Sequence, residues 1–222
     1  MSYQSDPVYW RDIFLDRDGV INENRADHVK SWYEFRFLPG ALNAMRLLTE
    51  RHYRIFVVTN QAAVNRGLLA SATLEEIHRR MVATAEAHGA HIAGLRYCPH
   101  RDDEACACRK PQPGMLLSLA AERQIDLGHA YFIGDALSDV AAGHAAGCRT
   151  ILVRTGRGSE QLGHADFLRH RPRHVAANLL DAVHWLHDQA AIAPTQPTYA
   201  GGGWPTPARP DLLIPLKTTG TV

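Results

Sequence analysis

The sequence predicts an α/β fold built on a Rossmann-like parallel sheet, and three observations carry that prediction. Short apolar runs alternate with segments of helical period, each run stops in a polar or Gly-containing turn, and 45% hydrophobic content over 222 residues supplies a sizeable core. A single compact domain is expected over residues 1–190.

Strands are predicted over residues 12–15, 54–59, 94–97, 130–133 and 149–153, each an apolar run bounded by turn residues. Leu42, Met45 and Leu48 repeat at helical spacing after the first strand. Leu74, Ile77 and Met81 do the same after the second, behind a Thr73-x-x-Glu76 capping box. The third helix is expected over 113–123, with Pro113 in its first turn, where a missing N–H costs nothing. A fourth follows Asp135 and stops near Gly147, and a fifth covers 175–187 with Leu179, Leu180, Val183 and Leu186 on one face. Residues 191–222 hold six Pro and four Gly without an apolar period, and read as a loosely ordered tail.

Charge narrows the function. Lys and Arg number 24 against 23 Asp and Glu, so a net charge of +1 offers no field for nucleic acid or an anionic membrane. Any affinity for phosphate must come from a local site. The N-terminus lacks a basic start followed by an apolar core, and no stretch reaches the ~18 apolar residues of a spanning helix. A soluble cytoplasmic protein, monomeric and without membrane partners, is expected.

The chemistry begins where the first strand opens. Phe14-Leu15-Asp16-Arg17-Asp18-Gly19 places two carboxylates two residues apart at the C-terminal edge of the sheet, where open α/β sheets bind ligands. One can attack phosphorus while the other protonates the departing oxygen and later deprotonates water, with Mg2+ lowering the repulsion between anions. Asp-x-Asp-Gly is equally a sequence for a plain turn. The second strand ends in Thr59-Asn60, whose hydroxyl and N–H groups suit phosphate oxygens. Arg109-Lys110-Pro111 precedes a helix and offers an ammonium to neutralise charge; the alternative is a solvated basic pair. Gly134-Asp135 ends the fourth strand and Asp139 follows one turn later, adding hard oxygen ligands for Mg2+.

Cys98-Pro99-His100 and, five residues on, Cys106-Ala107-Cys108 offer three thiolates and an imidazole, the donor set of a closed structural Zn2+ site. The spacing is tighter than that of common zinc ribbons, and a loop of unliganded polar residues is the alternative. Acidic residues Asp102, Asp103 and Glu104 give the 98–108 loop little apolar content with which to order itself, so metal would pin the segment that carries Lys110. Cysteines so arranged suit a reducing compartment better than a disulfide framework.

Asp-x-Asp, Thr, Lys and Gly-Asp-x-x-x-Asp occurring in that order resemble the haloacid dehalogenase superfamily of phosphatases. The resemblance implies that Asp16 is the nucleophile, that Asp18 is the general acid and base, and that Thr59 and Lys110 stabilise phosphate. Mg2+ would then be held by Asp16, Asp18 and Asp135. Phe-Leu-Asp-Arg-Asp-Gly from Phe14, Val-Val-Thr-Asn-Gln from Val57 and the Cys-Pro-His to Cys-x-Cys-Arg-Lys-Pro stretch look like the heptose bisphosphate and histidinol phosphate phosphatase group, over about residues 12–158. Asn65-Arg66-Gly67, Pro113-Gly114-Met115-Leu116 and Val153-Arg154-Thr155-Gly156 look like the heptose branch, while the short gap between His100 and Cys106 looks like the histidinol branch. By the same resemblance Asn24, Asp27, Asn60, Gln61 and Arg109 meet a small phosphorylated metabolite. Ala136 departs from the basic residue common there. No insertion is long enough for a large cap domain.

Outside the cluster, His52, His78, His88 and His144 lack partners at ligand spacing and read as solvated or core-edge residues. Trp32, Tyr33, Phe35 and Phe37 are expected to pack beneath the substrate loop. A dehalogenase or mutase on the same scaffold, and a non-catalytic zinc-stabilised binding protein, are the rival classes.

Overall fold

The computed structural model describes residues 9–192 and the two-residue strand Tyr199–Ala200. Most of the tail expected over 191–222 lies outside the described residues. Six parallel strands form the sheet in the order β3-β2-β1-β4-β5-β6: β1 (Tyr9–Leu15), β2 (Tyr53–Asn60), β3 (Ile92–Cys98), β4 (Tyr131–Gly134), β5 (Arg149–Val153) and β6 (His174–Ala176). A seventh strand, β7 (Tyr199–Ala200), pairs antiparallel with the start of β1. Helices α1 (Ala41–Glu50), α2 (Ser71–Ala87), α3 (Gly114–Arg123), α4 (Leu137–Ala146), α5 (Gly158–Gln161) and α6 (Leu179–Ile192) complete the frame.

The strands are apolar almost throughout because both sheet faces are covered. Side chains alternate between two cores. Ile13, Leu15, Ile55, Val57, Ile133 and Ile151 pack with Met45, Leu48, Leu74, Met81 and Val183 of α1, α2 and α6. On the other face, Phe14, Phe56, Val58 and Phe132 meet Met115, Leu116 and Leu119 of α3 and Ala142 of α4. Phe14 lies 5.7 Å from Phe56 and 6.4 Å from Phe132 between ring centroids, so three aromatic rings floor this face beneath the strand ends.

Three expectations need correction. Residues 174–176 form the edge strand β6, paired Ile151↔His174 to Val153↔Ala176, and α6 starts only at Leu179. A three-residue strand is too short to show period two, and Val175 happens to fall at helical spacing from Leu179. Asn178 Oδ1 accepts from Asp181 N at 3.0 Å and marks the true helix start. Thr73 and Glu76 are not a capping box, because α2 begins two residues earlier; Glu76 instead pairs with Arg80 one turn on at 2.6 Å. Trp32 stacks on Phe35 at 5.1 Å and Phe35 meets Phe37 edge-on at 5.0 Å, but Tyr33 stands 84% exposed and leaves that cluster.

The longest connections between the described elements run over residues 16–40 and 99–113, and neither forms a large cap. No helix among the described residues is long and apolar enough to cross a membrane.

Candidate active site

Between β1 and β4 the strand order reverses, and the C-terminal edge there is the crevice an open α/β sheet offers a ligand. Asp16 immediately follows β1, its N–H bonded to Ile133 O at 2.9 Å, and Asp135 immediately follows β4. Asp139 rises from the first turn of α4, where its Oδ2 accepts from Ala136 N at 3.0 Å. From the loop before α3, Lys110 Nζ reaches Asp16 Oδ1 at 2.7 Å, Asp139 Oδ1 at 2.7 Å and Val58 O at 3.0 Å. Its ammonium also sits 5.5 Å from the centroid of Phe132, on the aromatic floor.

Carboxylate oxygens of Asp16, Asp135 and Asp139 lie within 4.8 Å of one another, and all three residues are buried. Three carboxylates against one ammonium leave a deficit of two positive charges, the charge of one divalent cation. Burial, joined by Asp139 and Asp18 against the pull of Lys110, pushes the Asp16 carboxyl up to about 7. Burial followed by repulsion from Asp16 and Asp139 pushes Asp135 up to about 8. For Lys110, burial alone would lower the pKa, but Asp139 and Asp16 overturn it and hold the value above the ordinary range. Hard oxygens packed this closely, short of two positive charges, fit Mg2+.

Asp135 is clamped by two turns. Arg157 N donates to its Oδ2 at 2.7 Å, and Thr155 Oγ1 ties the turn after β5 to Gly19 O at 2.6 Å. Gly19 and Gly156 have φ of +88° and +56°, and a Cβ on either would stand 2.1 or 2.0 Å from Asp135 Oδ2. Only glycine meets both the backbone and the space requirement.

Asp18 faces the same cleft but is engaged differently. Arg17 Nη2 donates to its Oδ1 and Oδ2 at 2.8 Å each, Asn22 Nδ2 to Oδ1 at 2.8 Å, and Gln61 Nε2 to Oδ2 at 2.7 Å. Burial would raise its pKa, yet Arg17 and the two amides hold it below the usual carboxylate range. Its carboxylate is not one of the three that cluster. Gln61 Nε2 also donates to Thr59 Oγ1 at 2.9 Å, and Asn60 exchanges two hydrogen bonds with the Lys110 main chain at 3.0 and 3.1 Å.

The cleft above these groups holds about 830 Å³. Asp16, Asp18, Thr59, Lys110, Asp135 and Asp139 line its base, and Arg25, Arg66, Arg101, Arg109 and Arg157 line its walls. One wall is the Cys/His loop. Cys98 Sγ lies 3.6 Å from Cys106 Sγ, 3.2 Å from Cys108 Sγ and 3.4 Å from His100 Nδ1, and Cys108 Sγ lies 3.3 Å from both Cys106 Sγ and His100 Nδ1. A tetrahedron with Zn–S bonds of about 2.3 Å has edges of about 3.8 Å, so these four donors sit slightly inside the spacing that zinc sets. The hydrogen bond shared by two thiols, with burial, pushes Cys98 up, and the same sharing brings Cys108 down to about 5. Arg109 N donates to Cys106 Sγ at 3.3 Å, which fastens the cluster to the residue before Lys110.

Comparison with known proteins agrees with this geometry. The family model described as "HAD-hyrolase-like" matches residues 107–182. The chain is 40% identical over 150 residues to a D-glycero-beta-D-manno-heptose-1,7-bisphosphate 7-phosphatase of Pseudomonas putida, covering 68% of this chain and 86% of that protein. The corresponding Neisseria meningitidis serogroup A enzyme is 35% identical over 179 residues, or 81% and 96% of the two chains. A crystal structure of D,D-heptose 1,7-bisphosphate phosphatase from B. bronchiseptica, complexed with magnesium and phosphate, superposes with a TM-score of 0.75 at 36% identity over 81% of this chain and 99% of that one. The chain belongs to this family of haloacid dehalogenase-like phosphatases.

Set beside the expectations for such a phosphatase, Asp16, Asp18, Thr59, Lys110 and Asp135 all meet at one cleft, and Asn24, Asn60 and Arg109 line it. Asp27 is not among the lining residues: its side chain is 61% exposed and pairs with Arg25 at 3.0 Å and Lys30 at 2.7 Å. Gln61 is buried and its amide is spent on Asp18 and Thr59. Asp139, expected as a possible metal ligand, also anchors Lys110. Sequence reasoning passed over Arg17, Asn22 and Arg157, and placed His78 at the surface or core edge, whereas it is fully buried against Arg17. The one available signal for Arg17 was its place between the two motif aspartates.

Proposed function

We propose that the chain is a Mg2+-dependent phosphoric monoester hydrolase that releases the 7-phosphate of D-glycero-D-manno-heptose 1,7-bisphosphate through an aspartyl-phosphate on Asp16. The observation that carries this reading is the buried carboxylate trio, two positive charges short, with the Lys110 ammonium bonded to Asp16 at the sheet's switch point.

Asp16, Asp135 and Asp139 would hold Mg2+, which supplies Lewis-acid neutralisation of the phosphoryl oxygens and of the nucleophile. Lys110 holds one oxygen of Asp16 and presents positive charge beside the transferring group, and the Thr59 hydroxyl faces the same space. An Asp16 oxygen forms the bond to phosphorus as the bond from phosphorus to the sugar oxygen breaks, and Asp18 gives that oxygen its proton. Water then attacks phosphorus, Asp18 takes the water proton, and the acyl phosphate bond breaks to restore Asp16. Bound by Arg17, Asn22 and Gln61, Asp18 rests as a carboxylate, the form needed in the second half. Displacement of one of those donors by the entering ester would raise its pKa toward the acid form required in the first.

Substrate choice rests on charge. Of the five wall arginines, Arg25, Arg101 and Arg109 pair with Asp27, Asp103 and Asp102, and Arg66 and Arg157 form no ion pair among the described residues. That suits a molecule carrying a second phosphate better than histidinol phosphate, which carries an amine and an imidazole. Among the described residues no large cap forms and loops shape the pocket, with Asn24 and Arg109 on its lining. Zn2+ held by Cys98, His100, Cys106 and Cys108 would be structural, fixing the wall that carries Arg109 and Lys110. We read the enzyme as monomeric and cytoplasmic.

The test is phosphate release with Mg2+ from both anomers of the heptose bisphosphate and from histidinol phosphate. The bisphosphate should show the higher kcat/KM, by at least about tenfold. A preference for histidinol phosphate would overturn the substrate, and no hydrolysis of any phosphoester would overturn the enzyme.

A further inference from the structure

The mechanism above uses Arg17 only as a donor to Asp18 and leaves His78 unused, although both are fully buried. Arg17 spends Nε and Nη2 on Asp18, at 3.3 Å and 2.8 Å. Its remaining terminal nitrogen, Nη1, meets His78 Nε2 at 2.9 Å, across 61 residues of chain. His78 sits on α2 among Leu74, Ile77, Met81, Val82 and Ala85, and its ring lies 5.6 Å from that of Tyr97. An aliphatic side chain would serve that packing without importing polar atoms.

The bond decides the state of the ring. A guanidinium only donates, so Nε2 must be the lone-pair nitrogen and the single proton must sit on Nδ1. That Nδ1 finds no partner among the described residues, a desolvation cost with no local return. The neutral form is also the one that burial and the neighbouring Arg17 charge favour. What the histidine supplies is therefore one acceptor, aimed at a buried cation that would otherwise keep an unbonded N–H pair.

We propose that His78 is a positioning residue for Asp18, acting through Arg17: by accepting from Nη1 it fixes the guanidinium plane, and the opposite edge of that plane sets the orientation of the Asp18 carboxylate. This assignment rests on the phosphatase reading only for its consequence in turnover. Asn22 and Gln61 each hold one Asp18 oxygen, whereas Arg17 Nη2 touches both, so a guanidinium free to tilt leaves the carboxylate hinged. Proton delivery in either half of the reaction suffers more than substrate capture.

Two substitutions separate positioning from packing. His78→Leu keeps the apolar volume and removes the acceptor, and should lower kcat tenfold or more while KM stays within twofold. His78→Gln returns an acceptor oxygen near the position of Nε2 and should recover kcat to within about threefold of the parent. A leucine variant with parental kcat, or a glutamine variant as slow as the leucine one, overturns the proposal. The ring itself is read without turnover: 15N NMR of the histidines should show His78 protonated at Nδ1 and bare at Nε2, and the opposite tautomer or an imidazolium overturns it. If the parent protein hydrolyses no phosphoester, the proposed function fails while the NMR result still decides the Arg17 contact.

Discussion

The carboxylates at the β1/β4 edge come from residues 16, 135 and 139 and meet only once the sheet has formed, whereas the four cluster side chains all lie within residues 98–108. The first group is buried under two packed cores, holds its own ammonium, and remains two positive charges short. The second joins Cys98 at the end of β3 and Cys108, both buried in the second core, to a loop whose own side-chain ties are mostly exposed, such as Arg101 to Asp103 at 3.0 Å and Asn65 to Glu104 at 3.1 Å. Bonds of that kind contribute little to stability. In one place the fold makes the metal site and the cation relieves repulsion stored there; in the other the cation would make the local fold. Removing charge from the first should cost function and spare structure, and removing donors from the second should do the reverse.

The largest expected effect follows from the nucleophile. Asp16→Asn removes the attacking oxygen and should lower kcat by more than about a thousandfold. It also removes one of three mutually repelling carboxylates, so the metal-free variant should melt at or above the parent temperature. Phosphate release and differential scanning calorimetry on the same samples check both halves. An inactive variant that has also lost stability would show that Asp16 holds the fold, and the contrast between the two regions would fail.

Next in size is the loop. Cys98→Ser should abolish a one-to-one zinc content measured by elemental analysis and lower stability by about 3 kcal/mol, or about 6–12 °C in Tm. Because Arg109 is fastened to Cys106 and the next residue is Lys110, kcat should fall as well, but by less than in Asp16→Asn. A zinc-free variant with parental Tm would mean that the loop orders itself.

How far these features were legible in the sequence depends on what kind of interaction made them. Apolar strands buried on both faces announce β1, β2, β4 and β5, and side chains at strand ends announce Asp16, Thr59 and Asp135, because strand direction alone fixes where they emerge. The local Cys/His spacing was readable for the same reason. What was missed depends on distant partners. His78 lies on an apolar helix face like any core residue, and only the packing of α2 against β1's exit shows that it meets Arg17. Asp27 was expected by resemblance to meet the substrate, and its pairing with Arg25 and Lys30 could not be read from the sequence. Gln61 was expected by resemblance to meet the substrate, and its amide nitrogen donates to Asp18, a bond that sequence gives no means of reading. The β6 strand was lost to its length.

The smallest expected effect tests the stored charge directly. Asp16 and Asp135 have native pKa values raised from 3.8 to about 7 and about 8, so between about pH 4 and pH 8 the native state binds more protons than the unfolded chain. Stability contributed by these protonated groups is complete below the unfolded value and is lost as pH rises through the native ones. Lys110, whose pKa is also raised, stays charged in both states across this window and adds no slope. Asp18, shifted the other way, changes only at lower pH. Mg2+ must displace those protons to bind and, once bound, cancels the repulsion their loss creates. At ten times its dissociation constant at pH 8 it should stabilise by about 1.4 kcal/mol, or about 3–6 °C in Tm. At pH 5.5, with the same total Mg2+, the shift should nearly vanish, and in Asp16→Asn its dependence on pH should flatten. A shift independent of pH, or larger in acid, would mean that the cation binds somewhere other than this carboxylate trio.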